Sequence, residues 1–288
     1  MPSATAPGSE KCWGFHDAGP VQVFGGAMPK LKTLLINLDG SNARLDSAVA
    51  QIKAAGVEYE RYSAFDGRGR KAAEFSEYDD DRAVAFYGRP MTGGEMGCYF
   101  SHLGCAEAFL KSDATYGLVL EDDVLCHPDS FKILDEIIEW LEDSGQTGWD
   151  MINLCMTPKK FTTKLADFSG ESGDYQLVHA HYFPVTTTAI LWSRDGAERF
   201  WATRNEIYAP LDHFFRRWLS QSGRGLGLKP ELFWITGAES DLDSDGGAGL
   251  ARRRVARTPA YFWSEFKRQS VNYLSALWHM LRHRISGS

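Results

Sequence analysis

The chain has 288 residues, of which 43% are hydrophobic, 13% aromatic and 24% charged, and its formal net charge is −7. These values exclude a disordered or collagen-like chain, and the length suits one large domain or two small ones. No run of 18 apolar residues is present, which predicts no transmembrane helix. The first ten residues lack the basic start and apolar core of a secretory signal, so we expect a cytoplasmic protein.

A strand, a helix and a second strand open the folded part of the sequence. Residues 1–30 are rich in Gly, Pro, Ala and Ser, and we interpret them as a loose leader. The apolar run at residues 31–38 predicts a strand buried on both faces, and an apolar stripe then predicts a helix that stops at Gly56. Residues 57–64 alternate like a strand. This order is typical of an α/β domain with a parallel sheet.

The next segment combines a polar region with a strongly marked helix. Residues 69–90 are polar and contain three adjacent acids at 79–81, for which we predict a solvated loop. Thr92 and Glu95 have the spacing of a capping box, which predicts a helix start. The short apolar run at residues 117–120 predicts a buried strand that leads directly into three carboxylates.

The second half of the chain is less regular. A helix is predicted from Pro128 onward. Further strands are predicted at residues 149–154, 175–181, 185–192 and 228–235, and further helices at 195–201 and 211–223. A Gly/Asp/Ser loop follows at 236–249. We therefore assign residues 31–250 to one α/β domain and residues 251–288 to an appended tail.

The tail differs from the rest of the chain in charge. It holds eight basic residues and one acid, so it carries +7, and the remaining 250 residues carry −14. Residues 258–285 also have apolar residues at helical spacing, with Trp and Phe among them. The pattern indicates an amphipathic basic helix that lies on an anionic membrane surface. A helix packed on the acidic body is the alternative, and the acidic body argues against a nucleic-acid partner.

Three consecutive carboxylates, Glu121, Asp122 and Asp123, are the strongest chemical signal in the sequence. They follow a buried strand, and ligands of open α/β sheets bind at the carboxyl ends of strands. Strand alternation predicts that Glu121 and Asp123 share a face and that Asp122 points the other way. Oxygen ligands of this kind suit Mg²⁺ or Mn²⁺. A polar loop without a metal is the alternative.

Other chemistries find less support. The glycine-rich dinucleotide and P-loop motifs are absent, as are the metalloprotease and hydrolase motifs. The five cysteines form no C-x-x-C pair and are expected to be free thiols. His179 and His181 can place two imidazoles on one strand face, although two packed structural histidines are the simpler interpretation.

Six segments in this order resemble glycosyltransferase family 25, the lipopolysaccharide-type galactosyltransferases. They are LLINLDGSNAR, SAFDGR, MTGGEMGCYFSH, LVLEDDV, WDMINL and PLDHFF. The resemblance covers about residues 31–245. It implies a GT-A-like, Rossmann-type nucleotide-sugar-binding fold with a mostly parallel sheet. It also implies a UDP-sugar donor, most often UDP-galactose, with Mn²⁺ or Mg²⁺ and inversion at the anomeric carbon.

The resemblance also implies roles for individual residues. The metal would be held at Glu121, Asp122 and Asp123. The donor nucleotide would be bordered by six residues on the first strand edge and the capped helix, namely Asn37, Asp39, Arg44, Glu95, Ser101 and His102. Ser240 and Asp241 resemble a closing segment of the family. The general base would be Asp212, with Asp150 as second choice.

These residues together predict an inverting, metal-assisted glycosyltransferase. The acceptor would be a saccharide of lipopolysaccharide or a related, lipid-linked glycan, and the protein would lie on the inner face of the bacterial plasma membrane. Two alternatives stay open. One is a catalytically silent sugar-nucleotide-binding relative that serves as a membrane-associated scaffold, and the other is a retaining transferase.

Overall fold

A computed structural model of the chain describes residues 30–236 and 259–286. The leader at residues 1–29 and the predicted closing segment with Ser240 and Asp241 lie outside these ranges. The strands are β1 (Leu31–Asn37), β2 (Glu60–Ser63), β3 (Tyr116–Glu121), β4 (Val124–Cys126), β5 (Met151–Asn153), β6 (Thr162–Gly170), β7 (Gly173–Ala180), β8 (Ala189–Ser193), β9 (Gly225–Lys229) and β10 (Phe233–Ile235). The α-helices are α1 (Asn42–Ala54), α2 (Asp80–Tyr87), α3 (Gly93–Leu110), α4 (Ser130–Asp143), α5 (Arg194–Ala202), α6 (Leu211–Ser222) and α7 (Pro259–Ser286).

Eight strands form one central sheet in the order β2-β1-β3-β8-β5-β9-β7-β6. Strands β2, β1 and β3 pair in parallel, as do β5 and β9, whereas β8 and β7 run antiparallel to their neighbours. Six of the eight strands therefore point the same way, and the prediction of an α/β fold with a mostly parallel sheet is confirmed. Strands β4 and β10 form a separate two-stranded ribbon.

The sheet separates two hydrophobic cores, because neighbouring side chains on a strand point to opposite faces. Leu34 belongs to the core that includes residues of α3, α5 and α6, and Leu35 belongs to the core that includes residues of α1 and α4. Val119 and Leu120 on β3 divide in the same way. A sheet covered on both faces explains why β1 and β3 have nearly continuous apolar sequences.

The structure corrects the prediction of a solvated loop over the three acids at residues 79–81. Asp79 is the N-cap of α2, and its side chain accepts a hydrogen bond from the Arg82 backbone N–H. Asp80 and Asp81 lie in the first turn, where carboxylates are favoured by the helix dipole. The acids therefore start a helix, which ends at Gly88 with φ of 87°.

Two further strand predictions need correction. Strand β6 lies within a segment for which no element was predicted, and it pairs antiparallel with β7. The single strand predicted for residues 228–235 is two strands, because the chain leaves the central sheet after β9 and joins β4 as β10. The remaining predicted helices and strands are present, with bounds that shift by a few residues.

Helix α7 lies on the body with one face only. Its buried residues, Arg268, Asn272 and Ala276, follow one another every four positions, and the Arg268 guanidinium donates to the Phe86 carbonyl at 3.0 Å. The opposite face carries exposed apolar side chains, including Phe266 at 62% and Leu274 at 68% exposure. The predicted amphipathic helix is thus confirmed. Within the two described ranges, no helix has the length and apolar character needed to cross a membrane.

Candidate active site at the carboxyl ends of β1 and β3

The parallel neighbours β1 and β3 end side by side, and a cavity opens at that edge of the sheet. The cavity is lined by residues 36–38, Arg44, residues 64–68, Gly94, Gly97, Cys98, Ser101, His102 and residues 121–123. Of the predicted site residues, seven line it, namely Asn37, Arg44, Ser101, His102, Glu121, Asp122 and Asp123. The topology therefore brings together segments that are up to about 85 residues apart in the sequence.

Glu121 is fixed by two hydrogen bonds at the end of β3. Its Oε1 lies 2.9 Å from Nε2 of the buried His102, and it accepts a hydrogen bond from the Thr187 hydroxyl at 2.6 Å. Burial alone would raise the pKa of Glu121, but the contacts with His102 and Thr187 outweigh it and lower the pKa. Glu121 therefore carries a negative charge in the cavity. Thr187, which precedes β8, was not identified from the sequence.

Asp122 is bound by two side chains that belong to the first strand–helix unit. The Asn37 amide donates to Asp122 Oδ2 at 2.6 Å, and Arg44 Nη2 lies 2.6 Å from Asp122 Oδ1. Asn37 and Asp122 are both buried. The pair ties the end of β1 to the turn after β3, so that these residues set the shape of the cavity.

Asp123 is the one of these three carboxylates that has a buried oxygen available to bind a further group. Its Oδ1 is buried and has no hydrogen-bond partner among the described residues, and Arg44 lies 3.7 Å from its Oδ2. Burial raises the pKa of Asp123 to about 6, and the negative charges of Glu121 and Asp122 add to this effect. Arg44 opposes this shift only in part, so a cation placed beside Asp123 would offset the remaining cost of the buried charge.

The strand-alternation argument about these acids is wrong. Strand β3 ends at Glu121, and Asp122 and Asp123 belong to a turn before β4. A turn does not alternate its side chains, and all three carboxylates line the same cavity. All three acids can therefore contribute to one site, whereas strand alternation would have turned Asp122 away from the other two.

A glycine-rich contact forms the opposite wall of the cavity. A Cβ at Gly67 would lie 1.9 Å from the Gly93 carbonyl oxygen, and a Cβ at Gly97 would lie 2.5 Å from the Phe65 carbonyl oxygen. Glycine is thus required where the turn after β2 meets the start of α3. Ser101 supports the same turn, since its hydroxyl accepts from the Phe65 N–H and donates to the Gly97 carbonyl.

Two charged residues of that turn were not identified as site residues, although their segment carried the family resemblance. Asp66 and Arg68 line the cavity and form an ion pair at 2.8 Å, and the Arg68 hydrogen bond lowers the pKa of Asp66. Counting all side chains, the cavity holds the four carboxylates of Asp66, Glu121, Asp122 and Asp123 and the two guanidinium groups of Arg44 and Arg68. The excess of negative charge favours a cation.

Asp39 lies outside the cavity wall. It is exposed and pairs with Arg61 at 2.5 Å, and Arg61 also donates to the Asn37 side-chain oxygen at 3.0 Å. Arg61 was not identified from the sequence. It acts on the site through Asn37, since its guanidinium donates both to the side-chain oxygen and to the backbone carbonyl of Asn37.

Glu95, which was predicted to border the nucleotide, is not among the residues that line the cavity. It is buried, and both of its oxygens face the guanidinium of Arg89, at 2.6 and 2.9 Å. The same carboxylate accepts from the Thr92 N–H, and the Thr92 hydroxyl accepts from the Glu95 N–H, which completes the predicted capping box. Glu95 therefore holds the start of α3.

Asp150, the second choice for the general base, lies at the opposite end of the strands from the cavity. It precedes β5, which runs parallel to β3, so it sits at the end of the sheet opposite Glu121. It is fully buried and pairs with Arg199 at 2.6 Å and Arg224 at 2.7 Å. A carboxylate held in this way joins α5 to β9, and Asp150 is not among the residues that line the cavity.

Asp212 lies in the first turn of α6, and Pro210 occupies the N-cap position. The side chain is half-buried and accepts a hydrogen bond from the His213 backbone N–H at 2.7 Å. The His213 ring packs against Tyr87 in a tilted arrangement, with ring centroids 4.9 Å apart. Burial lowers the pKa of His213, so this imidazole is neutral beside Asp212. Asp212 does not line the cavity itself.

One further ligand set overlaps the site. One turn of α3 separates Cys98 from His102, and the ligand atoms of Cys98, His102 and Glu121 all lie within 4.8 Å of one another. Within the described residues, the other cysteines, Cys105, Cys126 and Cys155, are also free thiols. Cys98 was not identified as a site residue, and its spacing to His102 was the available signal.

Comparison with known proteins places this site in a family. The profile of "Glycosyltransferase family 25 (LPS biosynthesis protein)" matches residues 30–215. A glycosyltransferase 25 family member of Anopheles gambiae is 29% identical over 124 residues, covering 41% of this chain and 20% of that protein. Procollagen galactosyltransferase 2 of Mus musculus is 25% identical over 122 residues, covering 41% of this chain and 19% of that protein.

The chain thus spans about a fifth of the length of these two relatives. Among solved structures, a glycosyltransferase involved in the glycosylation of the major capsid of PBCV-1 aligns over 77% of this chain and 100% of its own. The TM-score is 0.40 and the identity 12%. The family profile covers more than half of the chain and includes every residue that lines the cavity, so the chain belongs to glycosyltransferase family 25.

Proposed function

We propose that this chain is an inverting galactosyltransferase that transfers galactose from UDP-galactose to a saccharide hydroxyl. The observation that carries the proposal is the excess of carboxylate in the cavity, with the buried and unpartnered Asp123 Oδ1 at its centre. A cation bound among these carboxylates would offset their repulsion of a nucleotide diphosphate. Family membership and the galactosyltransferase relatives support the sugar.

The residues at the end of β3 fit a divalent cation. Glu121, Asp122 and Asp123 offer oxygen ligands, which Mn²⁺ and Mg²⁺ prefer. Such a metal would supply electrostatic stabilisation of the departing diphosphate. Among the three acids, Asp123 has the oxygen best placed to bind it, since Glu121 is engaged by His102 and Thr187, and Asp122 by Asn37 and Arg44.

The protein's own groups divide the remaining work. Arg44 bridges Asp122 and Asp123 and fixes their orientation, and Arg68 offers a guanidinium to the diphosphate from the opposite wall. An inverting transfer is a single displacement, so a carboxylate must accept the proton of the attacking hydroxyl. We assign this role to Asp212, which is half-buried beside the neutral His213.

The acceptor follows from the family description and from α7. The family profile describes lipopolysaccharide biosynthesis proteins, which supports a saccharide of lipopolysaccharide or a related glycan as acceptor. The exposed apolar face of α7, flanked by the exposed Lys267, Arg282 and Arg284, suits an anionic membrane surface. Attachment of this face to the inner leaflet would bring the enzyme to a lipid-linked acceptor.

A donor panel tests the proposal. Full-length protein is incubated with UDP-galactose, UDP-glucose or UDP-N-acetylgalactosamine, each with Mn²⁺, with Mg²⁺ or with EDTA, and UDP release is measured with and without saccharide acceptors. We expect cation-dependent turnover that is fastest with UDP-galactose, and an inverted anomer by NMR. A retained anomer would overturn the displacement by Asp212, and absence of donor binding and hydrolysis under all conditions would overturn the enzymatic function.

A further inference from the structure

Three histidines meet between β7 and α7, far in the sequence from the site described above. His179 lies on β7, His181 follows the strand, and His283 lies on the last turns of α7. The ring centroids are 5.7 Å apart for His179 and His181, 4.3 Å for His179 and His283, and 5.2 Å for His181 and His283. The sequence predicted the first two on one strand, the structure ends that strand at Ala180, and the fold adds the third histidine.

The two strand histidines each have an unsatisfied ring nitrogen. His179 is 8% exposed and His181 is 1% exposed, and Nδ1 of each is buried without a hydrogen-bond partner. Buried polar atoms in proteins are nearly always satisfied, and an exception calls for an explanation such as a missing ion. Two exceptions that lie two residues apart, on rings that are nearly parallel, call for a shared explanation.

The partner of His181 prepares one of these nitrogens for a metal. Nε2 of His181 lies 3.0 Å from the Thr163 hydroxyl on β6. When Nε2–H donates to this oxygen, Nδ1 holds a bare lone pair. Metal-binding histidines have this arrangement, in which the second ring nitrogen donates to a protein oxygen that fixes the ring. Thr163 therefore serves as the orienting partner.

The spacing of the rings matches that of imidazoles around one ion. A zinc–nitrogen bond of about 2.1 Å places each ring centroid about 3.2 Å from the metal, so tetrahedral ligands have centroids about 5.2 Å apart. The observed separations, from 4.3 to 5.7 Å, bracket this value. The nitrogens are less tightly gathered than those of the Cys98 set, so ligation requires rotation of the rings.

Two arginines lie near the cluster, and each of them interacts with another side chain. Arg224 and Arg282 line a cavity next to His279 and His283. Arg224 pairs with Asp150, and the guanidinium of Arg282 lies 5.3 Å from the Trp278 ring centroid.

We propose that His179, His181 and His283 form a binding site for a borderline transition-metal ion such as Zn²⁺, which ties the last turns of α7 to β7. The adjacent cavity, which His283 lines, gives the ion a route from solvent. Imidazole ligands select Zn²⁺, Co²⁺ or Ni²⁺, whereas the oxygens at the end of β3 select Mn²⁺ or Mg²⁺. The site is therefore independent of the proposed transferase reaction.

Cobalt substitution tests the site in the full-length chain. After treatment with a chelator and its removal, the protein is titrated with Co²⁺ in the presence of excess Mg²⁺, which occupies oxygen-rich sites. A tetrahedral histidine site gives visible d–d absorption that saturates at one equivalent, without the near-ultraviolet charge-transfer band of a cysteine thiolate. Addition of Zn²⁺ should bleach the absorption and slow hydrogen exchange in α7.

Three variants separate this site from others. His283→Asn removes a ligand from a half-exposed position and should weaken Co²⁺ binding by more than about 100-fold, beyond the effect of losing an orienting partner. Thr163→Val should weaken it by about 10-fold to 100-fold. Cys98→Ser should leave the signal intact. The proposal is overturned by an absence of visible absorption, by absorption that survives in a folded His283→Asn protein, or by absorption that disappears in Cys98→Ser.

Discussion

Asp123 is held in its charged form at an energetic cost to the metal-free protein. Its ordinary pKa of 3.8 rises to about 6 in the folded state, mainly through burial. Between these values the folded protein binds the extra proton, so the contribution of Asp123 to stability decreases as pH rises through this window. At pH 7 the cost is of the order of 3 kcal/mol. A residue kept at such a cost is expected to have a function that needs its charge.

Asp123→Asn should therefore separate stability from function. The amide keeps the shape and removes the charge, so we expect the metal-free variant to be more stable than wild type by up to about 3 kcal/mol at pH 7. The gain should vanish at about pH 3, below both pKa values, where Asp123 is mostly protonated in both states. Urea denaturation in EDTA at both pH values measures it.

The same variant should lose its response to metal. Mn²⁺ at 100 times its dissociation constant would stabilise the wild type by about 2.7 kcal/mol, and the variant should show little of this effect and little turnover. Wild-type turnover of Asp123→Asn in Mn²⁺ would contradict the metal assignment.

Asp212 and Asp150 offer a matched pair of acids with opposite expected outcomes. Asp212→Asn should reduce transfer by about 10²-fold to 10⁴-fold, as expected for a general base, with donor binding and stability close to normal. Asp150→Asn leaves Arg199 and Arg224 without their buried partner, so it should lower the free energy of unfolding by about 2 kcal/mol.

Donor titration, initial rates and urea denaturation of both variants decide the matter. For Asp150→Asn, we expect normal turnover from the protein that remains folded. A stable but inactive Asp150→Asn protein, together with active Asp212→Asn, would reverse the two assignments.

At the scale of single residues, the sequence predicted the three carboxylates after β3 but not all of the ion pairs and hydrogen bonds that hold the predicted acids. Glu121, Asp122 and Asp123 could be found because acids after a buried strand are unusual. Glu95 and Asp150 were carried over with the family resemblance, and their roles depend on Arg89, Arg199 and Arg224, whose positions follow from the tertiary fold. Arg68 and Thr187 were missed for the same reason.

At the scale of elements, α2 shows how capping can be mistaken for a loop. Three successive acids in a polar region resemble a solvated turn, but Asp79 is extended and accepts from the Arg82 N–H, while Asp80 and Asp81 lie in the first helical turn. The long elements α3, α4 and β1 could be predicted because their apolar patterns are continuous. Strand β6 could not, because much of it is only half-buried and its register depends on β7.

Asp79→Ala should destabilise the protein by about 1 kcal/mol through loss of the N-cap of α2. The Asp79 backbone N–H also donates to the Ile207 carbonyl, a bond that the substitution preserves, so the expected effect comes from the side chain. Asp79→Ser, which retains a capping oxygen, should restore most of the stability. The urea midpoints of the three proteins measure the effect, and equal midpoints for Ala and Ser would exclude a capping role.

At the scale of the whole molecule, the C-terminal tail differs from the rest of the chain in its positive charge, and its helix carries exposed apolar side chains. The tail from residue 251 carries +7 and the rest of the chain −14. Helix α7 buries Arg268 against the body and presents Trp263, Phe266 and Leu274 to solvent. The two alternatives drawn from the sequence, a packed helix and a membrane-binding helix, are thus not exclusive, since one face packs and the other is exposed. Large exposed apolar patches mark interaction surfaces.

The double substitution Phe266→Ser and Leu274→Ser should abolish binding to anionic vesicles while leaving the fold intact. Both side chains are more than 60% exposed, so little packing is lost. Burial of each in a lipid interface contributes about 1.5–3 kcal/mol, so the variant should partition at least about 100-fold less.

Val84→Ser on α2, at a residue 42% exposed, is the control and should bind like wild type. Vesicle sedimentation at low and high salt separates the apolar from the electrostatic contribution to binding. Each basic residue near the surface adds about 1 kcal/mol, and salt screens only this electrostatic part. Full-length protein that ignores anionic vesicles at low salt would show that the exposed face of α7 has another partner.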